Sequence, residues 1–205
     1  MSWLTHLMVG IVAGTMATAA PAQLASDGEK FVTLVREGDN AGALALLQSK
    51  AIIIDSADSR GDTALLVALK GRDPAWSGHL IQAGADPNLA ARNGDTPLIV
   101  AARVGFNDAA HWLLGAGAKV DGANKMGETA LIAAVQERNV RLVELLLAAG
   151  ANPDRTDSAA GFSARDYAKR ETRFPQLLAA IEAGKRVPGA PSKPASDKLD
   201  DFKLN

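Results

Sequence analysis

Apolar residues along the middle of the chain come in paired blocks separated by polar, glycine-bearing turns. The first block of each pair, Ala64–Lys70, Pro97–Arg103 and Ala130–Gln136, is apolar almost throughout. Each follows a threonine, Thr63, Thr96 or Thr129, whose hydroxyl can cap the free N–H groups of a helix start. Pro97 sits where a helix tolerates a missing N–H. The second blocks, Pro74–Gln82, Asp108–Gly115 and Val140–Ala148, run to Gly84, Gly117 and Gly150, which suit the left-handed position that ends a helix. The pattern therefore predicts helix, brief turn, helix, and then a longer loop through residues 85–88, 118–121 and 151–154 to the next glycine.

These units share one period. Gly61-Asp62-Thr63-Ala64-Leu65 returns as Gly94-Asp95-Thr96-Pro97-Leu98 and as Gly127-Glu128-Thr129-Ala130-Leu131, each 33 residues on and without a gap. Ala68, Ala101 and Ala134 keep the step, as do Leu80, Leu113 and Leu146. Such a period marks stacked units that bury their faces against one another. Flanking units are degenerate. The unit from Gly28 places Phe31, Leu34 and Val35 on one helical face and Leu44 and Leu47 on the next, but lacks the threonine start. After an insertion near Ala159-Ala160, Gly161–Ala168 restarts the pattern one residue late, with a second helix expected over Pro175–Ala183. Atypical end units shield a stack from water. The expected organisation is a cap over 26–59, repeats over 60–92, 93–125 and 126–158, and a cap over 159–184.

The Gly-x-Thr-Pro-Leu start at Gly94–Leu98, the Ala101-Ala102 pair, Leu113-Leu114 and Gly117-Ala118 together resemble the ankyrin repeat. The resemblance spans about Ser26 to Ala183. It implies an all-α ankyrin-repeat solenoid of helix-turn-helix units with projecting β-turn fingers. Members usually carry a histidine after Thr-Pro-Leu that ties neighbouring repeats by hydrogen bonds. Leu66, Ile99 and Ile132 stand there instead, so apolar packing is expected to replace those ties.

The resemblance also implies a protein-binding concave face built from the projecting turns and first helices. Carried over by position, that face comprises Ser59, Arg60, Asp62 and Lys70; Arg92, Asn93, Asp95, Arg103 and Val104; and Lys125, Met126, Glu128, Gln136 and Glu137. These positions differ between repeats while the scaffold positions stay alike. Val104 and Met126 are apolar where exposure is expected, with Arg92 and Arg103 beside them. Arg and Met are enriched at interfaces, so this cluster is the expected anchor.

Charge separates the ends from the body. No charged side chain lies in Met1–Ser26. Leu7–Ala20 reads as the apolar core of a signal peptide, shorter than a membrane span needs. Small residues at Thr18-Ala19-Ala20 and Ala20-Pro21-Ala22 offer cleavage sites after Ala20 or Ala22. The segment before the apolar run holds His6 but no Lys or Arg. The expectation is a signal peptide over 1–22 and a mature protein with no membrane span in the periplasm. The alanine-rich composition and the leader suggest a Gram-negative bacterium. The alternatives are an uncleaved N-terminal anchor and a buried N-terminal helix. After Gly184 the proline-rich composition predicts a disordered tail over 185–205. Its Leu199, Phe202 and Leu204 form either a docking segment or part of a solvated tail.

Composition removes most chemistry. The 205 residues carry 22 Lys+Arg against 23 Asp+Glu, a net charge of −1 that gives no reason to expect nucleic acid. Without cysteine there is no disulfide, thiol nucleophile or thiolate metal site. His79 and His111 lack zinc spacing, and neither a nucleophile elbow nor a phosphate loop is present. Asp58, Asn124 and Asp157 recur with the repeat and read as turn residues. Asp55–Asp62 lacks the ligand order of a calcium loop. Arg60-Gly61-Asp62 spells an adhesion tripeptide, but the repeat already demands its Gly and Asp. Trp76 and Trp112 fall on second helices and are expected to fill gaps beside small residues. The expectation is a monomeric, non-catalytic protein-interaction module without cofactor or metal. A structural protector of a periplasmic enzyme or assembly is the alternative. The residue inventory argues against a small-molecule binder or an enzyme.

Overall fold

Each threonine start does what its position requires. The amides of Leu66, Ile99 and Ile132 donate to the hydroxyls of Thr63, Thr96 and Thr129, each at 3.3 Å. Ser163 takes this role in the last unit, where Asp166 reaches back to its amide and completes a reciprocal cap. The second helices start on Asp39, Asp73 and Asn139, which accept from the amides of Gly42, Trp76 and Leu142.

A computed structural model of the chain describes residues 21–49 and 52–184. Residues 1–20, expected to be signal peptide, and the tail 185–205 with Leu199, Phe202 and Leu204 lie outside the described residues. Among the described residues there are ten helices: α1 Pro21–Glu37, α2 Asn40–Gln48, α3 Ala64–Lys70, α4 Pro74–Gln82, α5 Pro97–Arg103, α6 Asn107–Gly115, α7 Ala130–Gln136, α8 Val140–Ala148, α9 Ala164–Arg170 and α10 Pro175–Gly184. None of them is long and apolar enough to cross a membrane. Each helix pairs with the next in its unit; α3, α5, α7 and α9 stack in one row and α4, α6, α8 and α10 in another. α6 begins at Asn107, one residue before the expected Asp108, because Phe106 serves as its N-cap position.

The first helices of the three repeats, α3, α5 and α7, are buried nearly all round, as helices apolar on every side must be. In α5 and α7 every residue up to the last is buried. Leu66, Ile99 and Ile132, where the histidines were missed, each expose 0%. Hydrogen-bonded ties survive elsewhere. The side chains of Asp55, Asn88 and Asp121 accept the amides of Asp86, Lys119 and Asn152 in the following unit, at 3.0, 2.8 and 2.9 Å. Trp76 is core, 1% exposed, edge-on to Phe31, with its indole N–H on the Asn40 side chain at 2.7 Å. It thereby pins the α1–α2 unit to the first full repeat. Trp112 is half-buried, edge-on to Phe106.

The expected projecting β-turn fingers are not formed. There is no β-strand among the described residues, and the loops close through single antiparallel bridges, Ala57 to Thr63, Ala123 to Thr129 and Thr156 to Ser163. The physical reason is local. Asp58 accepts the amides of Arg60 and Asp62, Asn124 those of Met126 and Glu128, and Asp157 those of Ala160 and Gly161, at 2.8–3.1 Å. Donors that would extend a ladder are consumed by the loop's own side chain. The third loop is one residue longer, the site of the insertion read from the sequence.

Candidate protein-interaction face

Because the first helices have almost no free side, the face they share with the loops is made of loop tips and helix ends. One register recurs along it. Lys70 Nζ lies 2.6 Å from Asp62 Oδ1, eight residues back, and Arg103 pairs with Asp95 at the same separation. Glu128 and Gln136 hold that register in the third repeat. In the last unit Phe162 replaces the acid, and the Arg170 guanidinium lies over its ring at 4.2 Å from the centroid.

The second repeat forms the densest network. Arg103 bridges Asp95 and Glu128, the acid of the next repeat. The Asn124 side-chain amide donates to Asp95 at 2.7 Å and to Glu128 at 3.0 Å, and Asn93 donates to Asp95 at 2.6 Å. Burial alone would lower the pKa of Arg103, but Glu128 and Asp95 hold it above the ordinary arginine value. Asp58 follows the converse logic. Burial would raise its pKa, but the Asp62 amide, Arg36 and the Arg60 amide bring it below the usual carboxylate value.

The residues expected on this face divide into three groups. Arg60, Lys70, Arg92, Asn93, Arg103, Lys125, Met126, Gln136 and Glu137 are exposed. Asp62, Val104 and Glu128 are half-buried. Asp95 exposes only 4%. Asp95 is turned inward, and its oxygens accept from Arg103, Asn93 and Asn124. Val104 is corrected as an exposed apolar anchor, because it packs against the core. Met126 keeps that character at 53% exposed. Arg92 donates to the Ser59 carbonyl at 2.9 Å and so braces adjacent loops.

One feature escaped the sequence. A shallow depression of about 310 Å³ lies between α7 and α9, lined by Val135, Gln136, Tyr167, Arg170 and Glu171. Only Gln136 was singled out from the chain alone. Extending the eight-residue register past the insertion would have found Arg170. The Tyr167 hydroxyl donates to Asp157 at 2.6 Å, and this bond raises the tyrosine's pKa above its ordinary value. Among the described residues no group of His, Asp or Glu is arranged to hold a metal ion.

Residues 75–157 match the family model described as ankyrin repeats, in three copies. No curated protein matches the chain. Proteins with such repeats are characteristically non-catalytic scaffolds for protein–protein interaction.

Proposed function

We propose that the ankyrin stack binds a protein partner through its loop tips and first-helix ends, and that it does so as an exported, periplasmic protein of a Gram-negative bacterium. One observation carries the face. The exposed positions at the tips and helix ends change chemistry from repeat to repeat, whereas the buried residues beneath them repeat. Met126, Gln136 and the depression beside Tyr167 supply apolar and polar anchors, and Arg92 and Arg103 are already braced by intramolecular bonds. A braced face loses little side-chain entropy on docking. Export rests on the uncharged segment Met1–Ser26 and the apolar run Leu7–Ala20.

A photo-crosslinking residue placed at Met126 or Gln136, in the full chain in its native envelope fraction, is expected to capture one protein. The same residue at His111 or Arg141, exposed on the second helices, is expected to capture none. Equal capture from both sides overturns the face. Mass spectrometry of the mature chain is expected to show a start at Pro21 or Gln23; an intact Met1 overturns cleavage.

A further inference from the structure

Acids and bases are segregated across the loop edge. The loop carboxylates are turned inward: the side chains of Asp58, Asp95, Glu128 and Asp62 expose 3%, 6%, 12% and 13%. Their basic partners stand outside them, with Arg36, Arg103 and Lys70 side chains exposed by 30%, 39% and 47%. Asp157 is likewise buried and bonded to Tyr167. The tips beyond these pairs carry Ser59-Arg60, Arg92-Asn93, Lys125-Met126 and Ser158-Ala159, which contain three cations and no acid. Glu137, the exposed acid on this face, sits at the far end of α7, roughly 10 Å of helix from the tips.

The tips also touch in sequence. Arg92 donates to the Ser59 carbonyl, and the Ser158 amide donates to the Met126 carbonyl at 2.8 Å. A Cβ added to Gly94 would meet the Lys125 amide nitrogen at 2.7 Å. Arg60, Arg92 and Lys125 therefore form one continuous basic edge, and among the described residues the loop carboxylates beneath it are turned inward.

We infer that this edge binds an extended, acidic segment of the partner protein. The inference rests on the reading of this face as a protein-binding surface and adds the chemistry of the bound segment. Stacked helices lie about 8–10 Å apart, and an extended chain advances about 3.3 Å per residue. A carboxylate at about every third residue of the segment thus meets successive tips. Charges at such a rim chiefly set on-rate and specificity, and added salt weakens the contact.

The test uses the full chain and a fluorescent peptide of repeated Glu-Gly-Ser triplets, with a Lys-Gly-Ser peptide for comparison, at low salt. The glutamate peptide is expected to bind about tenfold or more tighter than the lysine peptide. The triple variant R60E/R92E/K125E is expected to lose at least about tenfold, while K119E/R141E/R173E, reversing as many charges away from the tips, retains binding. R60A/R92A/K125A repeats the measurement without new repulsion and serves if the glutamate variant fails to fold. Equal binding of the two peptides, or equal loss in the two charge-reversal variants, overturns the inference. The two readings separate in competition. If a partner crosslinks at Met126 and the glutamate peptide does not displace it, the face stands and the acidic segment falls. If the peptide binds the tips but no partner crosslinks there, the protein-binding reading falls.

Discussion

The third repeat and the last unit follow the same backbone path with opposite chemistry. α7 offers Leu131 and Ile132, both fully buried; α9 offers Arg165 and Asp166 at the matching positions. Arg165 is itself buried, yet it reaches Asp154 at 2.6 Å and also pairs with Glu182, and both carboxylates are more than half exposed. At the loop, Glu128 of the third repeat is tied to Arg103, whereas Phe162 is tied to Arg170 through its ring. An inner repeat is covered on both sides by neighbours, so an unpaired charge there has no route to water. At the end of the stack a guanidinium can lie in the interior while its partners stay hydrated. The difference teaches that register is a property of the repeat and polarity a property of its place in the stack.

Truncation breaks the comparison most sharply. Leu131→Ala is expected to cost about 2–5 kcal/mol in urea unfolding. Arg165→Ala is expected to cost only about 1–2 kcal/mol, because Asp154 and Glu182 rehydrate. Equal losses would mean that the last unit is as enclosed as the third repeat. Removing the bases comes next. Arg103→Ala leaves Asp95 buried without its cation and is expected to cost about 1–3 kcal/mol, reduced from a fully buried pair by the exposure of Arg103. Arg170→Ala removes a partly exposed cation–ring contact, for a loss of about 0.5–1 kcal/mol.

Glycines sharpen the contrast further. Gly94 has φ 87°, and its Cβ would strike the next loop; Gly161 has φ 70° with open space around it. Both alanine variants carry the left-handed strain of about 1–2 kcal/mol. Gly94→Ala is expected to lose more than Gly161→Ala, and a lowered thermal midpoint for Gly94→Ala alone would isolate the loop clash.

The smallest expected effect is pH-dependent and sits where the third repeat meets the last unit, at Asp157 and Tyr167. Burial would raise the pKa of Asp157, but Tyr167 and the amides of Ala160, Gly161 and Phe162 bring it below the ordinary 3.8. Its stabilisation is therefore complete above that value and is lost as pH falls through the folded pKa. Tyr167 is held above 10.0, chiefly by its bond to Asp157. Its contribution is complete below 10.0 and is lost as pH rises through the higher folded value. Urea midpoints measured against pH should lose part of their acid decline in Asp157→Asn and part of their alkaline decline in Tyr167→Phe. Unchanged slopes would show that the pair does not couple to folding.

Much of the fold was legible in the chain. Thr63, Thr96 and Thr129 announced the starts of α3, α5 and α7, and Gly84, Gly117 and Gly150 lie at φ 89°, 93° and 92° after the second helices. These are local signals, because a cap or a left-handed glycine acts within one turn. The Arg170 end of the depression was readable only by carrying the eight-residue register across the insertion. The burial of Asp95 and the packing of Val104 against the core were not legible, since both depend on groups from neighbouring turns and repeats. The loop form was misread because Asp58, Asn124 and Asp157, correctly taken as turn residues, consume the amides that a ladder would need.

The sequence by itself determined the period, the helix ends and the apolar interior, because propensity, capping and spacing act over a few residues. Only the tertiary structure decided which charges face outward. Stacking brings Arg103 to Glu128 and Asn124 to Asp95, and the energy of a charge depends on what surrounds it rather than on its place in the chain.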